Sequence, residues 1–234
     1  MSNAAKSPPP QSSPLTRYPV SIAEMRERYM KLYTGAVNDV LRFEFKINAT
    51  LPTAFAPLRE SMKLAGFAFT IKGAPDITTD GEFEMRAEML EALHEDSVVI
   101  WDCTGDTYTA HWGEVMTMAA MRLGCRGALV NGIRDTEAIL EQGFPVFHQY
   151  RSNAGMLGRF RMYYYQKPVL MGDVVVHPGD WIFGDIDGVL CVPGEHAYSV
   201  LEAAEKILST EDGIRNMVRS GMKPTEVVRN GGYF

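Results

Sequence analysis

From residue 64 onward, short apolar runs alternate with stretches of helical spacing, and this alternation constrains the fold most. The runs at 66–72, 97–102, 127–130 and 145–148 are typical of strands. Helical patterns separate them: one at 83–94 with Met85, Met89, Leu90 and Leu93 on one face, one beginning near Gly113, and one after Asp135. Parallel strands need long crossover connections, which are usually helices. The sequence therefore predicts an α/β fold with a mixed sheet, at least partly parallel, covered by helices.

The C-terminal third has a different pattern. Short strand-like runs at 174–177, 181–183 and 189–192 are separated by Pro178-Gly179-Asp180 and Asp185-Ile186-Asp187-Gly188. Such spacing predicts hairpins in a small barrel-like strand region. Residues 185–188 lack the distant glutamate of a calcium loop, so we interpret them as a hairpin turn. A long helix is expected from about Gly194 to Arg219.

At the other end, residues 1–19 contain three consecutive prolines, several serines and few large apolar side chains. This composition predicts a disordered leader, in which Ser2-Asn3-Ala4 are candidate cloning residues. Ser21 and Glu24 have the spacing of a capping box, and the helix that they open is expected to reach about Phe43, with a break. Without a recognisable linker, residues 20–234 are interpreted as a single domain.

Composition excludes several classes of function. The 29 acidic residues outnumber the 23 basic ones, giving a net charge of −6, and no basic run predicts nucleic-acid binding. No apolar stretch approaches the roughly 20 residues that span a bilayer. The three cysteines, at 103, 125 and 191, form no C-x-x-C pair and are interpreted as free thiols, which indicates the cytoplasm. The five histidines lack H-x-x-x-H spacing, so a histidine-rich zinc site is not expected.

The first candidate site is Asn131-Gly132-Ile133-Arg134-Asp135. Val130 is expected to close a strand, with Asn131-Gly132 forming a turn and Arg134-Asp135 at the mouth before a helix. Ligands of α/β sheets bind at the carboxyl ends of strands. There Asp135 can ligate a hard cation, and Arg134 can hold a carboxylate or an oxyanion. The alternative is that Asp135 caps the helix and Arg134 is a surface charge.

A second loop, His111-Trp112-Gly113-Glu114-Val115-Met116, also leads into a helix. Gly113 permits close approach of a ligand, and the amides that follow form an anion site for a small carboxylate. Glu114 can contact water bound to a metal. The alternative is a tight turn with a glutamate that complements the helix dipole.

Three further residues are candidates for chemistry. Asp102 and Asp106 are alternative metal ligands, or loop residues that bond their own backbone, which we favour for Asp106. Lys72 is the one lysine placed for a Schiff base, and a solvated strand end is the simpler interpretation. No G-x-S-x-G elbow supports nucleophilic hydrolysis.

The two loops together resemble a known family. The run from Trp112 to Glu114 and the run from Gly124 to Asp135 look like those of the 4-hydroxy-4-methyl-2-oxoglutarate aldolase family, which also contains the regulator of ribonuclease activity A proteins. The resemblance continues through 143–147, 178–180 and 187–189, and covers roughly residues 25–220. It implies a compact fold of the swivelling phosphohistidine-domain type, assembled as homotrimers or hexamers.

The resemblance also implies a site. Asp135 would bind Mg²⁺ or Mn²⁺, Arg134 would stabilise an enolate, and the stretch from Gly113 to Met116 would hold the substrate carboxylate through the amides of Val115 and Met116. Glu114 would contact metal-bound water. An acidic residue near the C-terminal helix would reach in from a neighbouring subunit, with Glu211 preferred and Glu205 as the alternative.

The implied reaction is cleavage of a 4-hydroxy-2-oxo diacid to release pyruvate, with oxaloacetate decarboxylation through the same enolate. The small 2-oxo acid is then the partner of the site. The alternative is a non-catalytic regulator that binds an RNA-degrading enzyme. Three features depart from the family pattern: the proline-rich leader, residues 159–165, and the bulky His111-Trp112 pair expected beside the pocket. They indicate that the chemistry can be kept while the second half of the substrate differs.

Overall fold

The computed structural model describes residues 18–233, so nearly all of the predicted leader lies outside the described residues. Helix α1 (Ile22–Tyr29) begins as predicted, with the Ser21 hydroxyl accepting a hydrogen bond from the Glu24 amide at 3.1 Å. The expected break follows, and α2 (Thr34–Val40) then continues into a π-helical turn (Leu41–Phe45). Lys46, in the left-handed region, ends this turn.

Eight strands form one mixed sheet in the spatial order β1-β5-β4-β3-β2-β9-β10, with β6 also paired to β2. The strands are β1 (Ala56–Pro57), β2 (Leu64–Pro75), β3 (Ser97–Asp102), β4 (Gly127–Ile133), β5 (Val146–Arg151), β6 (Phe160–Tyr165), β9 (Trp181–Asp185) and β10 (Gly188–Val192). Strands β2 to β5 are parallel, and the other pairings are antiparallel. A separate hairpin contains β7 (Val169–Met171) and β8 (Val174–Val176). The mixed α/β sheet is as predicted.

Helices connect the parallel strands. These are α3 (Glu82–Glu91), α4 (Glu114–Arg122) and α5 (Thr136–Gln142), while α6 (Ala197–Arg219) and α7 (Pro224–Arg229) follow the sheet. No helix within residues 18–233 is both long and apolar enough to cross a membrane.

The sheet curls until its two ends nearly meet as a barrel. A Cβ built on Gly184 of β9 would lie 3.3 Å from the ring of Phe147 on β5, although three strands separate them in the sheet order. Val98 and Leu129 join Phe147 in the apolar cluster inside this curl. Because successive strand residues face opposite sides, the neighbouring Val99 and other alternate residues pack outward beneath the helices.

Two helical layers cover the outer faces. Helices α3 to α5 cover one face, contributing the buried side chains of Met89, Ala120 and Ile139. Helices α1, α2 and α6 cover the other, with Tyr29 and Leu201 fully buried. Each large apolar side chain buried in this way contributes about 1.5–3 kcal/mol. The candidate loops therefore extend from a rigid support.

Three differences from the sequence prediction affect the surroundings of the candidate site. Strand β4 continues to Ile133, so Asn131 and Gly132 lie within the strand and do not form a turn. Strand β5 continues to Arg151, and residues 160–165 form the unpredicted β6. Gly132 is required where β4 meets its neighbours, since an added Cβ would lie 2.2 Å from the carbonyl oxygen of Thr109. The glycine that suggested a turn instead permits close packing.

Candidate active site

Asp135 follows the carboxyl end of β4 in an unusual conformation. It occupies the N-cap position of α5 with φ 54° and ψ 36°, in the left-handed region. This region costs a non-glycine residue roughly 1–2 kcal/mol. Asp135 thus holds the N-cap position that the alternative assigned to it, but its side chain makes no capping hydrogen bond. The carboxylate is directed elsewhere.

The Asp135 carboxylate meets the second loop. Its Oδ2 lies 3.4 Å from the amide nitrogen of Glu114 and 3.4 Å from Nε of Arg134. A Cβ on Gly113 would lie 2.6 Å from the same oxygen, so this close approach requires glycine. Gly155 leaves similar room for the Arg134 guanidinium. A Cβ added to Gly155 would lie 2.7 Å from Nη1 of Arg134. The structure therefore brings together the two loops that the sequence singled out.

The amino terminus of α4 faces this meeting point. Gly113 is the N-cap residue and has no side chain that could cap the helix. The Gly113 carbonyl accepts the first hydrogen bond of the helix, from the Thr117 amide at 3.1 Å. The amides of Val115 and Met116 have no acceptor among residues 18–233. Free amides at a helix start favour an anion. This geometry suits a carboxylate beside Asp135.

A buried network holds the two loops together. The His111 amide donates to the carbonyl of Gly132 at 2.8 Å, and the Gly132 amide donates to His111 Nδ1 at 3.2 Å. Nε2 of the same ring lies 3.0 Å from an Asp106 carboxylate oxygen. Burial lowers the pKa of His111 to about 4, against the opposing charge of Asp106. The imidazole is therefore neutral at pH 7, with its proton on Nε2 directed at Asp106.

Asp106 organises the rest of this loop. Its carboxylate accepts from the backbone amide of Tyr108 at 2.9 Å, and its carbonyl accepts from the Asn131 amide group and the Tyr150 hydroxyl, each at 3.0 Å. The interpretation of Asp106 as a loop residue is confirmed. Sequence reasoning missed the network because its members are far apart along the chain.

His111 and Trp112 do not flank the pocket as expected. Both are 1% exposed and point into the core. The Trp112 indole nitrogen donates to the Thr117 hydroxyl at 2.8 Å, and the His111 ring packs against Phe160 with centroids 4.4 Å apart. The expected crowding of the pocket by these two side chains is wrong.

Lys72 and Asp102 bind each other. Lys72 Nζ donates to Asp102 Oδ2 at 2.6 Å, on paired residues of β2 and β3. Asp102 also accepts from the amides of Thr104 and Leu170. With these donors satisfied, Asp102 serves the structure of the sheet edge.

The predicted acidic residues of α6 lie in the other helical layer. Glu211 accepts from the Tyr33 hydroxyl and from Arg215 at 2.6 Å. Glu205 accepts two hydrogen bonds from Arg28, at 2.8 and 2.6 Å. Because α6 packs on α1 and α2, Glu205 and Glu211 lie away from the Asp135 of their own chain. A role for Glu211 from a neighbouring subunit stays a prediction.

An open cleft of about 520 Å³ lies at the strand ends. It is lined by Ile133, Arg134, Asp135, Thr136, Arg151, Ser152 and Asn153. Residues 151–153 were not among the sequence candidates. The signal existed, since the carboxyl ends of parallel strands meet at one edge, but the end of β5 was predicted three residues too early.

The chemistry of the cleft fits a hard divalent cation. Within residues 18–233 no group of three or more His, Cys, Asp or Glu side chains is arranged to hold a metal ion. Asp135 offers one carboxylate that is 43% exposed. Mg²⁺ is commonly held by one or two carboxylates, with water and substrate oxygens completing its shell. Asp135 therefore suits Mg²⁺ or Mn²⁺.

The fold and the paired loops define an α/β protein of the RraA type. A family model described as RraA-like, Aldolase/RraA, matches residues 34–191, and the chain belongs to this family. The expected family resemblance is thereby confirmed.

Two curated relatives share about a third of their aligned residues with this chain. One, from Halalkalibacterium halodurans and named "Putative 4-hydroxy-4-methyl-2-oxoglutarate aldolase", is 31% identical over 184 residues, covering 76% of this chain and 81% of the relative. The other, Protein DlpA of Legionella pneumophila, is 31% identical over 166 residues. That match covers 70% of this chain, which spans only 27% of the length of DlpA.

Two solved structures share the fold. One, described as novel cellulases from microbes associated with the gut ecosystem, has 46% identity and a TM-score of 0.82, covering 87% of this chain and 90% of the other. The second is RraAS2 of Streptomyces coelicolor, described as an unusual member of the RNase ES inhibitor RraA protein family. It has 22% identity and a TM-score of 0.74, covering 85% and 98%. At that identity the second likeness concerns the fold alone.

Proposed function

We propose that this protein is a divalent-metal-dependent lyase that cleaves a 4-hydroxy-2-oxo diacid and releases pyruvate. The observation that carries the proposal is the left-handed conformation of Asp135. Its carboxylate makes no capping hydrogen bond and lies beside Arg134 and the amino terminus of α4. A residue held in a sparsely populated conformation at a cleft is typical of a functional site. The named aldolase relative gives independent support.

Each side chain has a role in this reaction. Asp135 would hold Mg²⁺ or Mn²⁺, which supplies Lewis-acid polarisation of the 2-oxo group when bound. The amides of Val115 and Met116 bind the carboxylate of the 2-oxo acid. Arg134 stabilises the negative charge that develops on the 2-oxo oxygen. Gly113 keeps the two loops close enough for these groups to act together.

The bond changes balance without an external oxidant or reductant. The C3–C4 bond breaks, its electron pair forms the enolate of pyruvate, and the 4-hydroxyl becomes a carbonyl as it loses a proton. Glu114, the first residue of α4, accepts that proton through water in this proposal. Protonation at C3 then gives pyruvate. Loss of CO₂ from oxaloacetate passes through the same enolate and is a proposed side activity.

We further propose a homotrimer or hexamer with sites at subunit interfaces. Helix α4, which begins at the site, supports this proposal. Its apolar side chains Val115, Met118 and Met121 are 74%, 56% and 43% exposed in the single chain. Exposed apolar groups of this kind favour contact with another subunit. The three cysteines are free and buried, which supports the cytoplasm as the proposed compartment.

The decisive experiment measures pyruvate release from 4-hydroxy-4-methyl-2-oxoglutarate by a coupled lactate dehydrogenase assay. We expect turnover that chelation abolishes and that Mg²⁺ or Mn²⁺ restores. Asp135→Asn should lose it, and Arg134→Ala should lower kcat by about 100- to 1,000-fold. Arg219→Gln, at an exposed position late in α6, is the matched control and should behave as wild type.

Several outcomes would contradict the proposal. Turnover that survives exhaustive chelation would contradict the metal-dependent mechanism. A substrate adduct that borohydride traps on Lys72 would indicate a Schiff-base mechanism in its place. Hydrolysis of a cello-oligosaccharide in place of pyruvate release would align the chain with the cellulase description of its 46% identical neighbour. Tight association with an RNA-degrading enzyme, without turnover of any 2-oxo acid, would favour the regulator.

A further inference from the structure

We propose that Arg151 is the specificity residue of the cleft, and that with Asn153 it binds a second carboxylate at the end of the substrate remote from the 2-oxo acid. This inference rests on the proposed lyase function and deepens it by assigning the group that distinguishes diacids from monoacids.

The first support is the position of Arg151 in the sheet. Ile133 and Arg151 are paired in the parallel register of β4 and β5. Their backbones are thus neighbours at about 4.8 Å, with both strands ending at the same edge. The Ser152 amide donates to the carbonyl of Ile133 at 2.9 Å and fixes the chain that follows. Arg151 therefore stands beside the Arg134-Asp135 loop, across the cleft that both line.

The second support is that the far side of β5 is open at this point. Strand β1 pairs with β5 only at Phe147 and His148. Among residues 18–233 no strand pairs with the last residues of β5 on that side, and Arg151 and Asn153 are exposed. The Ser152 hydroxyl accepts from the Ala154 amide at 3.1 Å, which holds the turn carrying Asn153. The two side chains are thus presented to the cleft from an ordered turn.

The third support is the unbalanced charge of Arg151. Within residues 18–233 its guanidinium has no hydrogen bond or ion pair, whereas Arg28 and Arg126 are held by carboxylates. Of the carboxylates in the described part of the chain, Asp135 alone lines the cleft, and it already contacts Arg134. The cleft is therefore left with one arginine whose charge nothing in it offsets.

A carboxylate is the ligand that fits these donors. A guanidinium presents a planar fork that binds both oxygens of a carboxylate, and the Asn153 amide adds a further donor. In the proposed cleavage the distal carboxylate stays on the carbonyl product and takes no part in the electron movement. Arg151 should therefore affect the choice of substrate and leave enolate formation unchanged.

The test compares two substrates that share the breaking bond. These are 4-hydroxy-4-methyl-2-oxoglutarate, a diacid, and 4-hydroxy-2-oxopentanoate, a monoacid. For Arg151→Gln we expect kcat/KM for the diacid to fall about 10- to 100-fold, as for loss of a charged hydrogen-bonding partner, with little change for the monoacid. Arg151→Lys should be intermediate, because it keeps the charge and loses the fork. Arg219→Gln is again the control.

A third readout separates failure of the inference from failure of the lyase proposal. Exchange of the pyruvate methyl hydrogens in D₂O, followed by NMR, requires the enolate but no distal carboxylate. If wild type neither cleaves nor exchanges, the lyase proposal fails and this inference with it. If wild type is active and Arg151→Gln keeps the full preference for the diacid, the inference alone is wrong. Equal losses in both cleavages and in exchange would make Arg151 a structural support, which also overturns it.

Discussion

At the residue scale, the main feature is how buried neutral groups support exposed charged ones. Asp135 and Arg134 are 43% and 50% exposed, yet the backbone just before them is bonded to the buried ring of His111. Burial of a histidine favours its neutral form. Only a neutral His111 can accept from the Gly132 amide at Nδ1 while it donates to Asp106 from Nε2.

The first prediction concerns the pH dependence of stability. The pKa of His111 is about 4 when folded and near 6.5 when unfolded, so the unfolded chain binds more protons between these values. Stability from this residue is present above pH 6.5 and is lost as the pH falls towards 4, by about 3 kcal/mol in all. Urea denaturation at pH 7.5, 6 and 4.5, at fixed protein concentration, measures it.

His111→Gln is the comparison for this prediction. We expect wild type to be the more stable protein at pH 7.5, and the gap to narrow as the pH falls. Burial also lowers the pKa of His148, but that residue is common to both proteins and cancels in the difference. A gap that stays constant across the three pH values would show that His111 is not held neutral by the fold.

At the element scale, the site is a junction between two strand–loop–helix units. Gly113 is the contact point, and its φ of −151° is accessible to any residue. A side chain here is therefore excluded by the Asp135 carboxylate and not by the backbone. The junction can be disturbed without changing the conformation of either unit.

The second prediction follows from this contact. Gly113→Ala should displace the Asp135 carboxylate and lower kcat/KM for pyruvate release by about 100-fold, since misplacement by about 1 Å has costs of that order. Thermal unfolding should change by only a few degrees. Steady-state kinetics and calorimetry on the same preparation give both values.

Gly213→Ala is the matched glycine control. Gly213 lies within α6, and an added Cβ would meet no atom within 4 Å. Alanine is favoured over glycine inside a helix by up to about 1 kcal/mol, so this variant should be slightly more stable and fully active. Normal activity of Gly113→Ala would show that the two loops need not touch in the working enzyme.

At the scale of the whole molecule, the groups proposed for one site lie in two different helical layers of the chain. Glu211 lies in the helical layer opposite α4 and α5, and α4 presents exposed apolar groups beside the cleft. Head-to-tail contacts in a ring bring different faces of neighbouring subunits together. A ring of subunits would therefore allow Glu211 of one chain to approach Asp135 of the next.

The third prediction is subunit complementation. Asp135→Asn and Glu211→Gln should each be inactive alone, whereas co-expression should restore activity, because some interfaces then combine both native residues. Random assembly of equal amounts gives about a quarter of the native sites in a ring. Light scattering checks that all assemblies have the same mass. Full activity of Glu211→Gln alone would remove that residue from the mechanism, and Glu205→Gln is the next variant to examine.

Much of the framework could be predicted from local patterns. Strand β3 was predicted with its observed bounds, and the start of α1 with its Ser21 cap, because apolar periodicity and capping are properties of neighbouring residues. Strand β6 was missed. Its residues 160–165 do not alternate regularly between apolar and polar, and pairing with the end of β2 makes them a strand.

The chain alone thus determined the alternation of strands and helices, the family, and the two loops with Gly113 and Asp135. Only the tertiary structure decided that the Asp135 side chain makes no capping hydrogen bond, that His111 and Asp106 bind each other behind it, and that Arg151 lines the same cleft. The physical reason is distance along the chain. The hydrogen bonds of Asn131 and Tyr150 to Asp106, and the pairing of Ile133 with Arg151, exist only once the parallel strands have formed, and no local pattern records them.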